Sequence, residues 1–128
     1  MVKTAVRQLN YEYPDLQAIW VQPFTVARDD LLRLLPSATE EVHAGALETS
    51  ALLYLAGEKV KGQGVDYLPD LSKEYLDYLP FSAISPSGVW GHPSAASASL
   101  GKEILDAAVR GTVNYINESF EHLARIRG

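Results

Sequence analysis

Apolar residues recur at helical spacing along much of the chain. At the N-terminus the pattern stops before Pro14, which disfavours helical backbone in its neighbour, so we expect a short helix ending near Tyr13. Thr25 can cap a second helix over residues 26–35, and a third, strongly apolar helix is expected over residues 44–57. The last helix is the clearest, because its apolar residues keep spacings of three, four and one: Leu100, Ile104, Leu105, Ala108, Val109, Val113, Ile116, Phe120 and Leu123.

Two segments depart from this helical pattern. Residues 16–24, LQAIWVQPF, form a compact apolar run with β-branched and aromatic members, which is typical of a buried strand. Residues 57–93 are irregular, with one short helix expected around residues 71–78, and loops of this length usually cover a site or an interface. A helix followed by a strand indicates part of an α/β layered fold.

Composition narrows the class of protein. The 128 residues carry sixteen acidic and eleven basic side chains, and Lys and Arg form no stripe, so nucleic acid is not an expected partner. The absence of cysteine excludes disulfides, thiolate catalysis and Cys-based zinc sites. No run is apolar enough to span a bilayer and the N-terminus lacks an apolar signal sequence, so we expect a cytoplasmic protein with a single domain over residues 1–128 and no membrane partner.

Three titratable residues, Glu41, His43 and Glu48, lie where the third helix is expected to begin. A histidine can transfer a proton near neutral pH, and a nearby carboxylate can orient it or bind a metal ion. Gly45 leaves the backbone accessible to a ligand. A structural interpretation is also open, because residues 37–40 fit the S-x-x-E capping box and acidic residues are common in the first turn of a helix.

Two longer motifs carry a family resemblance. HAGALETSALLYLAGEKV, which begins at His43, resembles the H-A-G-x-x-E-T-S-x-x-L-x-L segment, followed by P-E-x-V, of the creatininase (creatinine amidohydrolase) family. GVWGHPSAASASLGKEILDAAV, which begins at Gly88, is similar to G-V-x-G-D-P-x-x-A-T-x-x-x-G-x-x-x-L of that family. The motifs occur in the same order, with a long loop between them and a long helix at the end. The chain is therefore similar to the C-terminal half of the family's domain.

This resemblance implies a three-layer α/β/α fold, present as its C-terminal half, and a metal-dependent hydrolase of amide or cyclic amide C–N bonds. Family members take most metal ligands from an E-x-H segment, a following aspartate and an N-G-H motif, and the chain has no counterpart of these upstream of His43. Zinc or manganese is therefore expected only if another chain supplies the missing ligands. The expected partners are a small-molecule amide substrate and either further copies of the chain or a chain with the N-terminal half.

The resemblance also implies roles for individual residues. His43 matches the histidine that donates a proton to the leaving group, and Glu48 matches a glutamate at the metal centre. Glu41 stands where many members have Asp, and we expect it to act with His43 in catalysis. His92 replaces the family's usual Asp, so a plain loop role is also open for it. The residues expected to line or support the substrate pocket are Gly45, Thr49, Phe24, Trp90 and His92.

Three functional hypotheses follow. The first is the C-terminal part or subunit of a metal-dependent amidohydrolase in which His43 protonates the departing nitrogen. The second is a non-catalytic assembly or binding module derived from the family, whose apolar, Tyr-rich surface is an interface. The third is a metal-independent hydrolase with His43 as general base and Glu41 behind it, for which the sequence places no nucleophile.

Overall fold

Helices connected by long irregular segments build the described part of the chain. A computed structural model describes residues 2–62 and 64–127. The α-helices within these residues are α1 Val2–Glu12, α2 Pro23–Val26, α3 Arg28–Leu34, α4 Ala46–Ala56, α5 Phe81–Ile84 and α6 Ala98–Arg127. Single turns of 3-10 helix lie between them at Pro36–Thr39, Gly57–Lys59, Lys73–Asp77 and Pro93–Ala95.

The predicted three-layer α/β/α fold is wrong for this chain. The chain is 65% helical, and the residues that the structure describes contain no strand or sheet. Extended pairing among them is limited to two isolated antiparallel bridges, His43 with Trp90 and Tyr67 with Gly91. Over these residues the architecture is helical.

The strand predicted over residues 16–24 is also wrong. This segment is irregular until α2 begins, and the backbone groups of Ala18 pair with a side chain instead of a neighbouring strand. Asn10 Nδ2 donates to the Ala18 carbonyl over 2.7 Å, and Asn10 Oδ1 accepts the Ala18 N–H over 2.9 Å. The Trp20 ring lies 4.6 Å from the Lys3 ammonium. The apolar run is therefore held by side chains of α1, and it has no paired strand among residues 2–62 and 64–127, which a strand would need.

Three of the predicted helices are confirmed, with small shifts of their boundaries. α1, α4 and α6 occupy the expected places, although α4 begins two residues later than expected. The helix expected over residues 26–35 is divided into α2 and α3, because Gln22 Oε1 accepts the Thr25 N–H over 2.5 Å and caps a separate turn that ends at Ala27. A turn of 3-10 helix replaces the short helix expected around residues 71–78. None of the described helices is both long and apolar enough to cross a membrane.

Two compact units divide the chain. One consists of Met1–Arg28 with Ala108–Gly128, and the other of Asp29–Ala107. Small side chains are frequent in the core of the second unit, whose buried residues include Leu31, Leu35, Ala46, Ser50, Ala51, Ile84, Ser85, Trp90, Ile104 and Ala107. All the predicted site residues except Phe24 belong to this second unit.

Candidate functional site

The turn before α4 places His43 at the surface, beside the carboxylate of Glu48. The imidazole Nδ1 lies 3.5 Å from Glu48 Oε2, and the two side chains are 60% and 52% exposed. The same carboxylate oxygen accepts the Ala44 N–H over 2.5 Å. The Phe81 ring meets the imidazole edge to face, with 5.6 Å between the ring centroids. His43 is thus oriented by a carboxylate and an aromatic ring while solvent still reaches it.

A left-handed residue shapes this turn. Ala44 has a φ of 52°, a conformation that costs about 1–2 kcal/mol for a residue with a Cβ. Gly45 follows in extended conformation as the N-cap of α4, and its carbonyl accepts the Thr49 N–H over 3.0 Å. The Thr49 hydroxyl lies 3.5 Å from the Ala44 carbonyl. Gly45 and Thr49 therefore lie in the turn that carries His43.

Glu41 points inward, towards the start of α4. Its Oε1 accepts the N–H groups of Ala46 and His92, over 2.9 and 3.1 Å, and its Oε2 accepts the Leu47 N–H over 3.2 Å. Two of these donors belong to the first turn of α4, whose amides have no partner within the helix. The carboxylate therefore caps α4 and joins it to the segment around His92.

The capping box predicted over residues 37–40 does not form. A 3-10 turn occupies this stretch, without a side-chain hydrogen bond at its cap. Glu41 provides the carboxylate that caps α4, and Glu48 provides the carboxylate beside His43. The expected pairing of Glu41 with His43 is therefore replaced, in this structure, by a pairing of Glu48 with His43.

The second motif runs beside the first through backbone hydrogen bonds. The Trp90 N–H donates to the His43 carbonyl over 2.9 Å, and the His43 N–H donates to the Trp90 carbonyl over 3.2 Å. The Trp90 side chain is 3% exposed, and its ring lies 6.3 Å from that of Phe81. Trp90 therefore packs in the core next to the ring that contacts His43.

A second imidazole lies between two carboxylates. His92 Nδ1 is 3.6 Å from Asp66 Oδ2, and His92 Nε2 is 3.9 Å from Glu40 Oε2. Asp66 also accepts the Ser94 N–H over 2.9 Å and the Ser94 hydroxyl over 2.5 Å. The hydrogen bonds from Ser94, with a smaller contribution from His92, hold the pKa of the Asp66 carboxyl below its ordinary value. Sequence reasoning missed Asp66 and Ser94, because the two residues are far apart in the chain and form no local motif.

The long segment over residues 57–93 is tethered to the site. Lys73 Nζ donates to the backbone carbonyls of Thr39 and Glu41, over 2.6 and 3.1 Å. Asp66, in the same segment, holds the second motif through the contacts given above. The sequence predicted that this segment covers a site or an interface, and the ammonium group of Lys73 that fastens it beside Glu41 was not predicted.

The side chains that surround His43 do not fit a metal ion by themselves. Within residues 2–62 and 64–127, no group of three or more His, Asp or Glu side chains is placed to hold one. His43 and Glu48 offer one nitrogen and one carboxylate, whereas catalytic zinc takes three protein ligands. Further ligands would have to come from outside this group.

Phe24, which was predicted to lie near the substrate, is on α2 in the first compact unit and is half-buried. An open cleft of about 570 Å³ in the same unit is lined by Leu9, Glu12, Tyr13, Pro14, Asp15 and Leu16, and so by none of the predicted site residues. The place of Phe24 in a substrate pocket stays a prediction.

Comparison with known proteins bears on both motifs. Residues 1–116 match the family Creatininase, described as creatinine amidohydrolase. Neither the curated proteins nor the solved structures contain a significant match. The matched range spans most of the chain, from α1 into α6, and includes His43, Glu48 and the segment around His92. The chain belongs to the creatininase (creatinine amidohydrolase) family.

Proposed function

We propose that this chain is the C-terminal part, or a subunit corresponding to the C-terminal half, of a metal-dependent amidohydrolase that cleaves a C–N bond in a small linear or cyclic amide. Family membership supports a creatininase-like amidohydrolase. The observation that carries the proposal is the exposed His43 imidazole, oriented by Glu48 and Phe81 at the start of α4. In this proposal residues 1–128 are one portion of a single cytoplasmic domain.

Amide hydrolysis requires a proton at the departing nitrogen, because an amide anion is a poor leaving group. The Nδ1 atom of His43 faces Glu48, so the geometry of the five-membered ring directs Nε2 away from that carboxylate. The protonated imidazole donates its Nε2 proton to the substrate nitrogen as the C–N bond breaks. Glu48 fixes the orientation of the ring for this transfer.

A divalent ion such as zinc or manganese supplies Lewis acidity in reactions of this class. The side chains around His43 do not fit such an ion on their own. We therefore place most of its ligands on a partner chain or on an N-terminal part of the domain, with Glu48 at the edge of that site. The remaining residues near His43, including Gly45 and Thr49, maintain the turn.

A non-catalytic assembly module is the second candidate. It is favoured by the exposed apolar side chains of α4, since Leu52, Tyr54 and Leu55 are 45%, 47% and 67% exposed. Apolar surface of this kind commonly marks an interface. In this case the surface of α4 would carry the function, and His43 would be dispensable.

The first test is His43→Ala, with His122→Ala on α6 as a control of the same chemistry outside the site. The chain is combined with a polypeptide that carries the N-terminal half of a creatininase-family domain, in zinc or manganese, and amine release is measured from linear and cyclic amides. Loss of the proton donor should lower kcat about 10²–10⁴-fold, whereas the control should leave it unchanged.

Equal activity of the His43 and His122 variants would exclude the proton-donor role. The mixture of the two polypeptides could also show neither activity nor bound metal while the chain still binds its partner. In that case a non-catalytic assembly module would explain the protein better than an amidohydrolase.

A further inference from the structure

The Glu41 carboxylate is engaged by backbone groups on two segments of the chain. It accepts the Ala46 and Leu47 N–H groups at the start of α4 and the His92 N–H in the second motif, over 2.9 to 3.2 Å. Its side chain is only partly exposed. None of these bonds connects it to the His43 imidazole, so they do not explain a direct part in proton transfer.

Two glycines leave room for this carboxylate. A Cβ on Gly45 would lie 2.4 Å from Glu41 Cδ, and a Cβ on Gly91 would lie 2.6 Å from Gly45 Cα and 3.1 Å from Glu41 Cγ. Contacts this short would force the neighbouring atoms to move. Glu41, Gly45 and Gly91 are therefore packed so closely that a larger residue at either glycine would displace the carboxylate.

The donors to Glu41 lie on both sides of His43. Ala46 and Leu47 follow His43 in the chain, whereas His92 comes two residues after Trp90, which exchanges backbone hydrogen bonds with His43. The Glu41 carboxylate holds the start of α4 against the second motif. Because His43 is connected to both segments, its backbone is held as well. The positive end of the α4 dipole also favours an anion at this place.

We propose that Glu41 is a positioning residue that fixes the backbone of His43 by clamping the start of α4 to the second motif, and is not itself a catalytic acid or base. That this role serves catalysis rests on the proposed function. That Glu41 holds the backbone of His43 can be tested on the chain alone.

Lys73 also holds the backbone of Glu41. Its ammonium group donates to the Glu41 carbonyl over 3.1 Å, so Glu41 is held through both its backbone and its side chain. A glutamine at this position could keep the Ala46 and His92 bonds, because both N–H groups donate to the same oxygen, Oε1. A methionine has a similar length and no carboxylate oxygen, so Glu41→Met removes the clamp with little change in packing volume.

The test compares the full chain with Glu41→Met and with Gly45→Ala, which keeps the carboxylate but displaces it. Glu40→Met is the control, because the Glu40 carboxylate lies 3.9 Å from the His92 ring and belongs to a different contact. Amide hydrogen exchange and the ring resonances of His43 are measured by NMR. Both test variants should speed exchange at Ala46 and Leu47 about tenfold, as expected for a lost helix cap, and the control should not.

A positioning role also predicts a change that a general loss of stability would not give. The His43 and Phe81 ring resonances should move together in both test variants, because the edge-to-face contact depends on the backbone at His43. Unchanged exchange in both variants would overturn the proposal, and so would faster exchange with unmoved His43 resonances.

Activity provides a separate result. In an enzyme assembled with a partner half, Glu41→Met should lower kcat and leave KM nearly unchanged. A rise in KM with an unchanged kcat would contradict the positioning role. Failure to assemble an active enzyme would count against the proposed function, whereas the NMR comparison on the chain alone would still decide the role of Glu41.

Discussion

Asp66 fastens the segment after α4 to the loop before α6. Its carboxylate accepts the N–H and hydroxyl of Ser94 and faces the His92 ring. These donors stabilise the ionised form, so the pKa of Asp66 lies below its ordinary value of 3.8. Ionised Asp66 therefore stabilises the folded chain above pH 3.8, and this contribution is lost as the pH falls through the lower pKa of the folded state.

We expect Ser94→Ala to raise the pKa of Asp66 towards its ordinary value, because the largest cause of the shift is removed. The free energy of unfolding should also fall more in the wild-type chain than in Ser94→Ala between pH 5 and pH 3, a window of about two pH units. The reason is that the fall depends on how far the pKa of the folded state lies below that of the unfolded state. Carboxyl ¹³C titration and urea unfolding at both pH values would measure the two effects. Ser82→Ala, an exposed serine on α5, is the matched control, and an Asp66 titration that is the same in all three proteins would contradict the assignment.

The residues around His43 show what residue type and spacing can predict. An imidazole with carboxylates near a helix start was predicted, and the structure places His43 beside Glu48. The choice between Glu41 and Glu48 depends on the left-handed turn at Ala44, which the sequence does not mark because alanine rarely adopts it. The contacts of Glu41 with His92 join residues far apart in the chain, and no local pattern reveals them.

At the scale of elements, α4 and α6 meet where only glycine fits. A Cβ on Gly101 would lie 1.9 Å from the Ser50 carbonyl oxygen. Beside this contact Ser50 Oγ accepts the Ser97 N–H over 3.1 Å, and Ser97 Oγ accepts the Leu100 N–H over 3.1 Å in the first turn of α6. The start of α6 is thus set by α4, and through α4 it is tied to the turn at His43.

Gly101→Ala should destabilise the chain by about 3 kcal/mol or more, because backbone atoms cannot move away as a flexible side chain would. Gly57→Ala is the matched control, since a Cβ there meets no atom of the described residues within 4 Å, its chain neighbours aside, and the φ and ψ of −55° and −30° suit alanine. The control should instead raise the free energy of unfolding by about 0.4–1 kcal/mol. Urea unfolding followed by circular dichroism would measure both, and similar values for the two variants would show that the contact between α4 and α6 is not close in solution.

The elements that were predicted correctly are those that a local pattern determines. α1, α4 and α6 follow from apolar spacing, because each helix satisfies its own backbone hydrogen bonds. The strand over residues 16–24 was wrong since a strand depends on a partner elsewhere, and the side chain of Asn10 takes the backbone groups of Ala18. The attachment of residues 57–93 through Lys73 could not be predicted either, because Lys73 bonds to Thr39, which is far from it in the chain.

At the scale of the whole molecule, large apolar side chains remain exposed in both compact units. They include Val2, Tyr11 and Ile126 in the first unit and Leu55, Val65 and Tyr78 in the second. Exposure of this extent in a small chain favours association, which is why we propose further copies of the chain or a partner half as its natural contacts.

We expect the purified chain to associate, and Leu55→Glu to weaken this association by placing a charge on α4. Val65→Glu introduces the same charge on a side chain of similar exposure in the connecting segment, and it should have a smaller effect if α4 is the contact. Light scattering over a range of concentrations would measure the average mass. A wild-type chain that stays monomeric at every concentration would contradict the proposed association.

The exposed apolar side chains of α4, those of Leu52, Tyr54 and Leu55, also have a consequence for the cell. Under the proposed pairing, a copy made without its counterpart presents leucine and tyrosine to chaperones and proteases, which recognise such surfaces. The lifetime of the chain would then follow the supply of its counterpart more closely than its own folding equilibrium. Synthesis of the two polypeptides in matched amounts, for instance from one transcript, would leave few unpaired copies to be degraded.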